Sequence, residues 1–209
     1  MKEESLISLD DIKNYYSNAI KSHGASAKGV DWNGEEGQIL RYKQLLKIIR
    51  EKNSFSLLDY GCGYGAIINI LRNLGKEFKY FGLDISEAMI EAAKRLHGQE
   101  EDINFIQTES ISFCCDFVIA SGVFNVKLDS SSASWESYIE NRLDSFDANS
   151  NFGFAFNCLS NYSDTSLQED KLFYADPKVF FDLCKNKYSQ NVALLHDYGL
   201  YEFTILVHR

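Results

Sequence analysis

The sequence predicts an α/β protein in which strands and helices alternate along an open sheet and an antiparallel pair of strands closes the chain. Two stretches and one pattern carry that expectation. Phe55 to Leu58 is a short apolar run that leads through Asp59-Tyr60 into Gly61-Cys62-Gly63-Tyr64-Gly65, and Ala66-Ile67-Ile68-Asn69-Ile70-Leu71 then begins a helix. Tyr80-Phe81-Gly82-Leu83-Asp84 gives a second strand, and its terminal acid stands 19 positions after Gly65. Late in the chain, Asn191 to His196 and Tyr201 to Val207 flank Gly199 and predict a hairpin.

The elements follow in order. Ser8-Leu9-Asp10-Asp11 resembles a capping box, and Ile12, Tyr15, Tyr16, Ala19 and Ile20 then recur at helical spacing until Gly24. Tyr15 and Tyr16 are either core packing or aromatic rings that close over a ligand. A small-residue loop carries Trp32, which either anchors the loop or walls a site. Asn33 is expected to cap a second helix with Glu36 as reciprocal partner, and Ile39, Tyr42, Leu46 and Ile49 line its inner face. After Asp84, Ser86 caps a helix that buries Met89, Ile90, Ala93 and Leu96, and His97 at its end meets the helix dipole. Ile103 to Gln107 is the third strand and Cys115 to Ser121 the fourth. A helix runs from Trp135 to about Phe146, and Phe152 to Cys158 is the fifth strand. Leu159 to Tyr174 is a long polar loop without periodicity, of the kind that forms lids or substrate walls. Asp176-Pro177 starts a last helix.

Composition bounds the function. The chain has 209 residues, 45% hydrophobic and 24% charged, which suits one domain with a sizeable core. Residues 1–209 are therefore expected to form a single domain, with an N-terminal helical lid or cap over 8–52 and a binding core over 55–209. A net charge of −9 repels phosphate backbones, so nucleic acid is not an expected partner. No apolar run is long enough for a membrane span and no signal-peptide pattern opens the chain. Five cysteines form no C-x-x-C pair and are read as reduced thiols in a cytoplasmic protein. No His, Asp or Glu cluster has metal-ligand spacing.

Asp59-x-Gly61-x-Gly63-x-Gly65, lying between a strand and a helix with Asp84 at the end of the next strand, resembles motif I of the class I S-adenosylmethionine-dependent methyltransferases. Nicotinamide-binding loops read G-x-G-x-x-G instead. The likeness covers Phe55 to Arg209 and includes the terminal hairpin. It implies a Rossmann-like, doubly wound sheet of seven strands, mostly parallel with the last antiparallel, and helices on both faces. It implies S-adenosylmethionine as cofactor, with S-adenosylhomocysteine as product. The cofactor residues it implies are Asp59, Gly61, Cys62, Gly63, Gly65, Asp84, Ile85, Met89, Ser110 and Ser121, together with Glu109 at the adenine amino group. The pair Thr108-Glu109 departs from the Gly-Asp common at that place. Arg41 either pairs with the methionyl carboxylate or faces water. Val30-Asp31-Trp32, Leu172 to Pro177 and His196 to Thr204 are similar to a group of small bacterial methyltransferases linked in part to surface polysaccharides and secondary metabolites.

Methyl transfer needs the acceptor held in line with the S–CH₃ bond. A hydroxyl acceptor needs a base and a carboxylate acceptor does not. Of four histidines only His196 stands where a terminal strand can present it, either as base or as a structural partner of Asp197. Trp32, Asn125, Asn157, Tyr174, Tyr198 and Tyr201 are the expected substrate contacts. The expected function is methyl transfer to a small-molecule acceptor, a hydroxyl or carboxylate of a sugar or metabolite. The alternatives are an NAD-dependent oxidoreductase and a non-catalytic protein that binds the same cofactor.

Overall fold

The computed structural model describes residues 7–32, 34–50, 52–98 and 100–209. Two helices precede the first strand: α1 (Leu9–His23), capped by the Ser8 hydroxyl, and α2 (Glu35–Leu45), with a single 3-10 turn at Lys28–Val30 between them. Asn33, the expected cap of α2, lies outside the described residues, and Gly34 takes the N-cap position. The core alternates as expected: β1 (Ser54–Tyr60), α3 (Ile67–Asn73), β2 (Glu77–Asp84), α4 (Glu87–His97), β3 (Ile103–Gln107), β4 (Cys115–Ala120), α5 (Ser132–Ala148), β5 (Ser150–Ser160), β6 (Tyr174–Ala175), α6 (Pro177–Lys187), β7 (Asn191–Leu195) and β8 (Glu202–His208).

The sheet runs β3-β2-β1-β4-β5-β8-β7. The first five strands on this path are parallel, and β8 is antiparallel to both neighbours. The path itself has the expected seven strands. The eighth, β6, comes from the loop expected to be irregular, whose end returns to pair Tyr174 and Ala175 with Leu159 and Ser160. Helix α5 begins three residues before the expected Trp135, because the hydroxyl of Ser131 accepts the N–H of Ser134 and so caps it.

Helices cover both faces. On one, Trp135, Ile139, Leu143 and Phe146 of α5 and Phe180 of α6 pack with Leu58, Val118, Phe154 and Phe156 of the strands. On the other, Leu45, Ile67, Ile68, Leu71 and Ile90 pack with Leu57, Tyr80, Phe117 and Ile119. The central strands β1, β4, β5 and β8 are buried on both faces, which explains their near-continuous apolar sequences, whereas the edge strands β3 and β7 are partly exposed. His97 is buried against Phe105, with ring centroids 6.0 Å apart, and does not simply meet the dipole. Burial lowers its pKa.

Candidate active site

The chain leaves β1 for one side of the sheet and β4 for the other, so a crevice opens at their carboxyl ends. The glycine loop forms one wall. The N–H groups of Gly61 and Cys62 donate to the Leu83 carbonyl at 2.7 and 2.9 Å, which fastens the loop to β2. Gly61 has φ +72°, and a Cβ there would lie 2.4 Å from Cγ2 of Val123, so the close approach of the β1 and β4 loops requires glycine.

Asp84 ends β2 in the cleft. Its Oδ2 accepts the N–H of Gly63 at 2.9 Å and its Oδ1 that of Ser86 at 2.8 Å. Each oxygen retains a lone pair for a ligand. Burial pushes the carboxyl up to about 6, against the opposing pull of those backbone donors. Asp59 is placed differently. It is buried, accepts the Tyr80 hydroxyl at 2.8 Å and does not line the cleft. Burial pushes it up to about 7. The expectation of a direct Asp59 contact is therefore corrected: this acid ties β1 to β2 through Tyr80.

Gly61, Cys62, Gly63, Asp84, Ile85, Met89 and Ser121 line the cleft together. Gly65 does not; its N–H closes the turn onto the Cys62 carbonyl at 3.0 Å. Glu109 and Ser110 are exposed, and Glu109 borders a neighbouring hollow while Thr108 faces the cleft. Leu9, Ile12 and Tyr16 of α1 close one side, and the hydroxyls of Ser17 and Ser86 meet at 2.7 Å to tie α1 to the start of α4. Tyr64, Trp135 and Tyr138 also line it. Nothing in the sequence marked Trp135 and Tyr138, whose spacing on α5 is that of any buried helix face. Ser121 lines the cleft, and its hydroxyl oxygen is itself buried without a partner among the described residues. An acid with two free acceptor sites, bare backbone at the glycines and an apolar wall fit a nucleoside carrying a thioether or sulfonium chain.

A second, more polar chamber adjoins the first, and Tyr16, Val30, Trp32 and Gly122 line both. It holds Asp31, Arg41, Asn125, Glu169, Lys171 and Glu202. Arg41 is here and not in the cofactor cleft. Its Nε donates to Glu202 at 2.7 Å and its guanidinium lies 3.9 Å from the Trp32 ring centre, so the expected pairing with the cofactor carboxylate is corrected. Trp32 and Asn125 are chamber walls, and Asn157 stands behind Gly122, accepting its N–H at 2.7 Å. Tyr174, Tyr198 and Tyr201 are not among the residues that line the chamber, although Tyr174 and Tyr198 stand next to residues that do. The Tyr174 hydroxyl accepts the N–H of Glu169 at 3.1 Å, Tyr198 meets Thr204 at 3.0 Å, and Tyr201 donates to Asp164 at the surface. His196 is exposed beside Tyr162 and Phe203 and lines neither chamber. The expected catalytic histidine is therefore corrected: it sits exposed at the end of the edge strand β7, outside the residues that line either chamber.

This sheet order, glycine loop and acid define a class I S-adenosylmethionine-dependent methyltransferase, and the chain belongs to that family. Residues 51–140 match the family model of a methyltransferase domain. The putative methyltransferase Rv1506c of Mycobacterium tuberculosis is 47% identical over 164 residues, spanning 78% of this chain and 99% of the relative. A carboxy-S-adenosyl-L-methionine synthase of Campylobacter jejuni is 39% identical over 70 residues, 32% of this chain and 30% of that one. Among solved structures, a DhpI-SAM-HEP complex aligns with TM-score 0.64 at 13% identity over 98% of this chain and 99% of that one. The N-methyltransferase NodS of Bradyrhizobium japonicum, in complex with S-adenosylhomocysteine, aligns with TM-score 0.64 at 13% identity over 93% and 98%. S-adenosylmethionine is the cofactor, and the nicotinamide alternative falls.

Proposed function

We propose that the protein methylates a hydroxyl group of a small, non-anionic acceptor such as a sugar or another metabolite, bound in the second chamber. The observation that carries this is the adjacency of that chamber to the cofactor cleft, with Trp32 and Gly122 lining both. The cofactor supplies a methyl group already activated on a sulfonium. The chain's task is to orient the acceptor, exclude water and take its proton. Charge favours a hydroxyl over a carboxylate. Both chamber cations are paired, Arg41 with Glu202 at 2.7 Å and Lys171 with Glu169 at 3.2 Å. Asp31 pairs with no cation among the described residues; it accepts the Tyr15 hydroxyl at 2.6 Å, and its other oxygen is the proton acceptor in this reading. Asp31 also adopts φ +61°, an uncommon backbone state for a non-glycine residue.

In the cofactor cleft the reading gives Asp84 the ribose hydroxyls, and the glycine loop and Ser121 the backbone-lined wall. Residues 8–52 are a cap on the same domain as the core, supported by the part that Leu9, Tyr16, Val30 and Trp32 take in the walls. Five unpaired cysteines support a cytoplasmic setting, and among the described residues no helix is long and apolar enough to cross a membrane. The test is to incubate the protein with methyl-labelled S-adenosylmethionine and separate fractions of a bacterial extract. Label should pass to a small, alkali-stable product. Label released by mild alkali as methanol shows a carboxyl ester, and label in nucleic acid or protein contradicts the small acceptor.

A further inference from the structure

Glu202 opens β8 with a fully buried side chain. Its Oε2 accepts from Arg41 Nε at 2.7 Å and from Asn157 Nδ2 at 3.1 Å, and its Oε1 from Asn125 Nδ2 at 3.4 Å. Two routes lead from this carboxylate to one peptide. Through Asn157, whose Oδ1 accepts the Gly122 N–H at 2.7 Å, it holds the backbone of Gly122. Through Arg41, stacked 3.9 Å from the Trp32 ring centre, it holds the indole that lies on Gly122. The fit there is close: a Cβ on Gly122 would stand 2.3 Å from Cζ2 of Trp32. Burial pushes the Glu202 carboxyl up, and Arg41 and Asn125 oppose it.

Strand pairing does not call for this residue. Glu202 faces Leu159 across the β5–β8 ladder, a place where an apolar side chain would avoid the cost of desolvating a carboxylate. The ion pair instead converges on the wall between the two chambers. We propose that Glu202 is a positioning residue: through Arg41 and Asn157 it fixes Trp32 and Gly122, and so sets the aperture through which the acceptor meets the transferred methyl group. This rests on the second chamber being the acceptor site.

Trp32 and Trp135 are the chain's two tryptophans, and Trp135 is 1% exposed, so acrylamide quenching of tryptophan emission reports on Trp32. Glu202→Gln keeps the side chain's size and removes the charge that holds Arg41. The quenching constant of this variant should rise roughly twofold or more as the indole loses its cation, with S-adenosylhomocysteine still bound. Arg41→Lys, which spares the buried carboxylate, should give the same rise because an ammonium lacks the planar stack. Trp32→Phe should abolish most of the quenchable emission in either background. A purely structural Glu202 would lower the melting temperature and leave quenching of the folded protein at the wild-type value. That result in Glu202→Gln, or in Arg41→Lys should the first variant not fold, overturns the proposal. A wild-type protein that failed to bind S-adenosylhomocysteine would instead overturn the site reading while leaving the quenching comparison intact.

Discussion

Asp59 is buried and Asp84 half-buried, and desolvation raises both acids, yet they answer to different partners. Asp84 accepts two backbone N–H groups and faces the cleft; Asp59 accepts one hydroxyl and faces the core. If Asp84 holds the ribose hydroxyls, as proposed, they donate to its ionised form, so ligand affinity should weaken as pH falls through about 6. Titrations with S-adenosylhomocysteine between pH 5 and 8 check this. Asp59 gives a stability effect of defined sign. Its folded pKa, about 7, lies above the unfolded value near 3.8, so the folded state holds the proton more tightly in that window. Stability from this group is present at low pH and is lost as pH rises towards 7. Asp59→Asn should therefore flatten the pH dependence of the urea midpoint of the ligand-free protein. The position of Asp84 was legible because strand length and glycine spacing fix it. The hidden position of Asp59 was not, because it depends on Tyr80 of the adjacent strand reaching across.

At the scale of elements, the glycine loop and the end of β4 must pass within contact of each other. Gly122→Ala places a methyl group against the Trp32 indole at φ +72° and should destabilise the protein by about 1–3 kcal/mol. Thermal unfolding measures the loss, and the ligand-induced rise in melting temperature should shrink with it. Strand and helix identities were legible from apolar runs and helical spacing, since both faces of the central strands are buried. The start of α5 was missed because a serine-rich stretch reads as loop until Ser131 is seen to cap it. The short β6 was missed because two residues carry no periodicity.

At the scale of the molecule, the crevice exists because successive connections leave β1 and β4 for opposite sides of the sheet, and α1 and the 3-10 turn close over it. The acceptor side was the least legible part of the site. His196, Tyr198 and Tyr201 cluster in sequence, but which of them a terminal turn brings inward depends on the sheet's order and twist, and here His196 and Tyr201 are exposed while Tyr198 is half-buried against Thr204. Arg41, Trp32 and Glu202 meet although 161 positions separate the arginine from the glutamate. The central claim is that the carboxylate at the end of β2 holds the nucleoside of the cofactor. The most direct test is calorimetric titration of S-adenosylhomocysteine into the wild type and Asp84→Ala at pH 8. Two charge-assisted hydrogen bonds contribute roughly 1.5–3 kcal/mol each, so the variant should bind at least about tenfold more weakly while remaining folded. Equal affinity in a folded Asp84→Ala protein would contradict the account.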